Sequence, residues 1–184
     1  MRGGLGIAVV GSPGSGKSTV ARTLSAALEL PHLELDSVFH QAGWAELSTG
    51  EFQDVVRVFT DQQAWVVDGN YTRQGITDLV WPRADTAVWL DLPRRETMRR
   101  VGARTFRRTV RGEHLWNGNK ERLRNVVDPR PEHNILLWTW TRYNTVKDRY
   151  AERFADPRWS GLNLVRLRSQ DAVDRFVASV VEAS

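Results

Sequence analysis

The residues Gly11-Ser12-Pro13-Gly14-Ser15-Gly16-Lys17-Ser18 match the spacing G-x-x-x-x-G-K-[ST] at every fixed position. Glycines placed this way let the backbone turn its N–H groups inward around an anion, and a helix starting there adds its positive end. A lysine after the last glycine reaches the β- and γ-phosphates of a nucleoside triphosphate, and the next hydroxyl ligates Mg²⁺. Lys17 and Ser18 occupy those two places, with Thr19 following. The motif has meaning only between a strand and a helix. Residues 5–10 form an apolar run before it and residues 19–30 an amphipathic run after it, so both flanks are present. ATP with Mg²⁺ is the expected occupant.

Phosphoryl transfer further requires a carboxylate for the metal or its waters, cations around the moving group, and a place for the acceptor. Asp68 follows the apolar run 64–67 and has the form of a metal-supporting strand-end acid; the other reading is the first residue of an Asp-Gly turn. Asp91 has the same position after residues 86–90 but precedes Leu92-Pro93, and reads as a structural cap. Asp36 closes a short expected strand, residues 33–36, in which Glu34 and Asp36 share a face. It either orients the acceptor and takes its proton, or caps the turn at 37–39.

Eight arginines and one acid, Glu96, fall within residues 94–111. Arg100 and Arg104 lie one helical turn apart and point the same way, and Arg107 and Arg108 extend that face. A basic helix followed by a polar, Gly-bearing stretch suits a lid, here residues 94–130, that carries guanidinium groups to phosphates and excludes water. Such groups contribute ~10³–10⁵ in rate. A phosphate-backbone patch for nucleic acid and a merely solvated helix face are the other readings.

The elements that position these residues follow from periodicity. Apolar runs at 5–10, 64–67, 86–90 and 162–167, with the short 33–36, read as strands, the first of them buried on both faces. Ser48 and Glu51 form a capping box for a helix with Phe52, Val55, Val56 and Phe59 on one side. A long helix at about 132–154 carries Leu136, Trp140, Tyr143, Tyr150 and Phe154 as a core stripe. Strands alternating with helices give an α/β three-layer sandwich, about five parallel strands with helices on both faces. Ligands of such sheets sit beyond the carboxyl ends of the strands, where the glycine-rich loop, Asp36, Asp68 and Asp91 all fall.

Length and composition set outer bounds. The chain has 184 residues, expected as one domain spanning 1–184, and a net charge of +4. It has no cysteine, and four histidines without zinc spacing. No stretch approaches the roughly 18 consecutive apolar residues of a membrane span. The start runs into the first strand with no room for a signal peptide, so a cytoplasmic location is expected.

Taken together, the chain resembles the adenylate-kinase-like P-loop kinases, and more closely the bacterial proteins called topology modulation protein or adenylate-kinase-related. The resemblance rests on residues 11–19, on Leu35-Asp36 with Gly43-Trp44, and on Trp65-Val66-Val67-Asp68-Gly69-Asn70-Tyr71. Leu90-Asp91-Leu92-Pro93 with the arginine run, and Trp138-Thr139-Trp140, extend it over most of the chain. It implies that Asp68 supports Mg²⁺ waters, that Arg73 grips an acceptor phosphate, that Arg100 packs on adenine and that Arg104 points at the transferring phosphate. Arg73 stands one residue later than the adenylate-kinase pattern. That family's Ser-Thr-Gly-Asp segment after strand two is missing. Instead Leu35-Asp36-Ser37-Val38-Phe39-His40 resembles the acceptor-binding Asp of uridine- and shikimate-kinase-like enzymes. The expected activity is an ATP- and Mg²⁺-dependent small-molecule or nucleotide kinase. Its rivals are an ATP-dependent regulator or nucleic-acid-binding protein, and an NTPase whose acceptor is water.

Overall fold

Alternation along the first strand divides the hydrophobic core in two. Ile7 and Val9 face one layer of helices, while Ala8 and Val10 face the other. The computed structural model describes residues 5–111, 116–119, 130 and 134–182. Its first half runs β1 (Gly6–Gly11), α1 (Lys17–Ala27), β2 (His32–Glu34), α2 (Leu35–Phe39), α3 (Thr49–Thr60), β3 (Trp65–Asp68), α4 (Ile76–Val80) and β4 (Thr86–Leu90). There follow α5 (Arg94–Arg111), α6 (Ile135–Ala155), β5 (Asn163–Leu167) and α7 (Gln170–Glu182). The strands form one parallel sheet in the order β2-β3-β1-β4-β5. This is the expected α/β three-layer arrangement.

On one face Val20, Ala21 and Leu24 of α1 and Val173 of α7 cover Ile7, Val9, Val66 and Val88. On the other, Phe39, Phe52, Val56, Ile76, Val146 and Tyr150 cover Ala8, Val10, Val67 and Trp89. Burying a side chain of this size contributes about 1.5–3 kcal/mol, so both layers help to hold the sheet. The capping box at α3 forms as expected, with Glu51 N–H donating to Ser48 Oγ and Ser48 N–H donating to Glu51 Oε2.

Three expectations shift. The second strand stops at Glu34 and the chain turns at once into α2, which places Asp36 in the first helical turn rather than on the strand. Burial of Leu35 at 2% exposure holds that turn, and Ser37 Oγ donates to the Glu34 carbonyl. The long helix begins at Ile135, where Asn134 Oδ1 accepts from the N–H groups of Leu136 and Leu137. Its buried stripe is Thr139, Tyr143, Val146 and Tyr150. Trp140 stands outside, 53% exposed, with the Arg94 guanidinium 3.5 Å from its ring centroid. Among the described residues, no helix is long and apolar enough to cross a membrane.

The described parts of the expected lid are α5, continuous and held by buried Thr97, Val101 and Thr105, together with residues 116–119 and 130. Residues 112–115 and 120–129 lie outside the described residues.

Arg153 of α6 grips Asp78 of α4 with two hydrogen bonds, 2.8 and 3.2 Å long, and these hold the Asp78 carboxyl below its ordinary value of 3.8. A lowered folded-state value means this stabilisation is present above 3.8 and fades as pH falls through and below it. Asp78→Asn should therefore lose stability at neutral pH and show a smaller acid-induced drop than the parent. Urea midpoints measured across that pH range check this.

Candidate active site

The glycine-rich loop leaves β1 at Gly11, and a side chain fastens that exit. β1 and β3 pair in parallel up to Val9 opposite Asp68, and Gly69 N–H then donates to the Val9 carbonyl. One residue further, Asn70 takes over with its amide. Its Nδ2 donates to the Gly11 carbonyl at 2.6 Å, and its Oδ1 accepts from Gly11 N–H at 3.2 Å. Tyr150 Oη donates to the same Oδ1 at 3.0 Å, tying α6 to the loop.

Two glycines in the loop serve different ends. Gly14 has φ +77°, and a Cβ there would lie 2.5 Å from the Thr97 carbonyl oxygen, so α5 packs directly on the loop backbone. Gly16 sits at φ +94° and launches α1, which has no acidic residue in its first turn and no side-chain cap. Its positive end is therefore unopposed by the protein. Ser15 Oγ is buried without a hydrogen-bond partner among the described residues. Together the open helix end and the orphaned hydroxyl fit a bound anion such as the phosphate chain of ATP.

A cavity of roughly 610 Å³ opens over the loop, lined there by Gly14, Gly16, Lys17, Ser18 and Thr19 together with Arg22. Asp68 lies beneath it, 2% exposed, and accepts from Ser18 Oγ at 2.6 Å. A serine hydroxyl with its proton committed to a buried carboxylate turns its lone pairs outward. That donor set, one hydroxyl backed by one carboxylate, suits Mg²⁺, which takes few protein oxygens and keeps several waters.

A second stretch of the cavity wall carries Glu34 and Asp36. Asp36 Oδ1 accepts from Tyr71 Oη at 2.6 Å. Burial and the Asp36 charge push the Tyr71 hydroxyl far above its ordinary value, so it stays a donor. Tyr71 is wedged against Phe39 and Phe52, which fixes the carboxylate from behind. Trp116 completes this wall. Its segment is fastened by neighbouring amides: Asn117 Nδ2 donates to the Ser37 and His40 carbonyls, and Asn119 Nδ2 to that of Gln41. Asn119 Oδ1 accepts from Trp44 N–H at 3.0 Å.

Arginines of α5 form the third side. Arg100, Arg104, Arg107 and Arg108 all line the cavity. Arg100 donates to the Ser15 carbonyl at 3.3 Å and to Gln170 Oε1 at 2.6 Å, and pairs with Glu96. It is thus anchored beside the loop. Arg73 stands exposed on the turn of residues 72–75 and is not among the residues that line the cavity. Asp91 is occupied elsewhere, with Arg166 Nη2 at 2.6 Å and Lys147 Nζ at 3.8 Å.

Four participants escaped the sequence reading. Asn70 and Tyr71 lay inside a recognised stretch without a role, and Trp116 inside a polar segment. His32, whose Nε2 lies 2.8 Å from Asp68 Oδ1, carried only the signal of sharing a strand face with Glu34.

No protein-family model and no curated protein sequence matches the chain. Solved structures do match in shape. A gluconokinase from Sinorhizobium meliloti aligns with a TM-score of 0.53 at 18% identity, over 99% of this chain and 92% of its own. A shikimate kinase from Acinetobacter baumannii in complex with shikimate gives 0.57 at 15% identity, over 99% and 93%. A shikimate kinase from Aquifex aeolicus gives 0.52 at 14% identity, over 97% and 95%. The chain shares its α/β three-layer fold with these kinases.

The Asn70 amide makes three hydrogen bonds at a partly buried site, and each is worth about 0.5–1.5 kcal/mol net. Asn70→Ala should lower unfolding free energy by about 2–4 kcal/mol, read from urea denaturation.

Proposed function

We propose that this chain is an ATP- and Mg²⁺-dependent kinase that phosphorylates a hydroxyl of a small acceptor. The observation that carries this reading is one cavity lined both by Lys17 and Ser18 of the loop end and by the Tyr71-bound Asp36 of α2. The solved neighbours are a gluconokinase and shikimate kinases, and they support a small-molecule acceptor. The resemblance to the topology-modulation and adenylate-kinase-related proteins supports the donor half of the site. An ATP donor favours a cytoplasmic place of action.

The loop N–H groups and the α1 N-terminus hold the phosphate chain, and Lys17 reaches its β- and γ-oxygens. Mg²⁺, held by Ser18 and by waters that Asp68 supports, would supply positive charge to those same oxygens. Arg100, anchored by Glu96 and Gln170, packs beside the loop where the nucleoside lies. Arg104 stabilises charge spreading over the transferring group. Asp36 Oδ2 accepts the acceptor hydroxyl, aligns its oxygen with the γ-phosphorus and takes its proton. Tyr71 holds Oδ1, so the carboxylate presents one oxygen in one orientation.

An ADP-release screen over nucleosides, nucleoside monophosphates, sugar acids and shikimate-like alcohols identifies the acceptor. With it in hand, Lys17→Ala should lower turnover by roughly 10²–10³-fold or more. Transfer surviving that change within a few-fold would sink the assignment. Asp36→Asn should lower kcat by roughly 10²–10⁴-fold while the affinity for MgATP, read by calorimetry, stays at the parent value.

A further inference from the structure

Asp68 has two carboxylate oxygens, and both are engaged. Oδ2 accepts from Ser18 Oγ at 2.6 Å, and Oδ1 faces His32 Nε2 at 2.8 Å. The Asp68 side chain is 1% exposed and that of His32 14%. A carboxylate only accepts, so the contact requires a hydrogen on Nε2. The partner comes from the next strand: His32 lies opposite Val66 in the β2–β3 register, two residues before Glu34, which lies opposite Asp68.

One hydrogen bond does not hold an aspartate still. Its terminal torsion is broad and two-fold, so a carboxylate fastened at one oxygen still swings about the Cβ–Cγ bond. A second bond on the other oxygen removes that freedom. Here the second bond fixes more than Asp68, because Asp68 Oδ2 in turn fixes the direction of the Ser18 hydroxyl proton. With that proton committed, both Ser18 lone pairs are left for the cavity side.

We infer that His32 is a positioning residue for the metal site: through Asp68 it aims the Ser18 lone pairs at the nucleotide-bound Mg²⁺. The inference rests on the proposed Mg²⁺–nucleotide site and adds to it a residue that touches neither ligand. His32 acts by hydrogen-bond donation, so a neutral amide in its place should serve as well as the ring. Groups standing one bond behind metal-binding residues shift metal affinity by roughly 10–100-fold.

The test is calorimetric and needs no acceptor. The dissociation constant for ATP is measured in excess Mg²⁺ and again in EDTA, for the parent, His32→Phe, His32→Leu and His32→Gln. His32→Leu repeats the apolar comparison should the Phe ring not fit, and thermal melts report folding. In the parent, Mg²⁺ should tighten ATP binding. In the apolar variants that gain should shrink by roughly 10–100-fold, with the EDTA value unchanged. His32→Gln, whose amide N–H reaches Asp68 from nearly the same place, should keep most of it. Apolar variants that retain the full Mg²⁺ gain overturn the inference. So does a His32→Gln protein that melts like the parent yet loses as much as the apolar variants. A parent that binds ATP no better with Mg²⁺ than without removes the proposed nucleotide–metal site itself, and the inference falls with it; that outcome is distinct from the other two.

Discussion

The parallel pairing of β1 with β3 is what the rest of the site hangs from. Its backbone ladder ends with Gly69 on Val9, and the Asn70 side chain then imitates one more residue of strand by engaging both polar groups of Gly11. A backbone leaving a buried strand for a phosphate-binding turn must satisfy its own N–H and C=O groups or lose stability. Asn70 solves that problem at the departure point. Because Asp68 and Tyr71 flank it, the same few residues also set the carboxylate under Ser18 and the hydroxyl behind Asp36. The carboxylate beneath Ser18 and the carboxylate held by Tyr71 are thereby referenced to one strand end.

Charge is arranged around that strand end by depth. The acid beneath Ser18, Asp68, is buried and bonded through both oxygens. Glu34 and Asp36 reach the cavity, and the arginines come from α5 opposite. α5 is a very polar helix, and its attachment relies on the narrow buried line of Thr97, Val101 and Thr105 and on the missing Cβ of Gly14. The motif spacing leaves position 14 open, yet the approach of α5 demands glycine there.

Much of the fold could be read in the residues. Buried parallel strands appear as continuous apolar runs, so β1, β3 and β4 fall close to where Val9, Val66 and Val88 suggest. Local chemistry of short range was equally plain, as with the Ser48 capping box. What escaped depends on partners distant in sequence. Leu33-Glu34-Leu35-Asp36 alternates as a strand should, but burial of Leu35 against the core turns the chain after Glu34. Trp140 fits a helical stripe, yet the arc facing the core is rotated towards Thr139 and Tyr143. Asp91 and Arg166 are 75 residues apart, and His32 and Asp68 are 36 apart. No periodicity brings such pairs together. Arg73 follows the recognised motif, but it stands on an exposed turn and is not among the residues that line the cavity.

The fastening of Trp116 has an evolutionary side. Asn117 and Asn119 reach backbone atoms of residues 37, 40, 41 and 44, not their side chains. Backbone atoms are the same whatever amino acid occupies a position. These bonds therefore survive substitution at those positions, although Ser37 Oγ also holds the Glu34 carbonyl and the His40 ring stacks on Trp116. A lineage built this way can vary those positions by small steps without first dismantling the backbone hold on the aromatic segment.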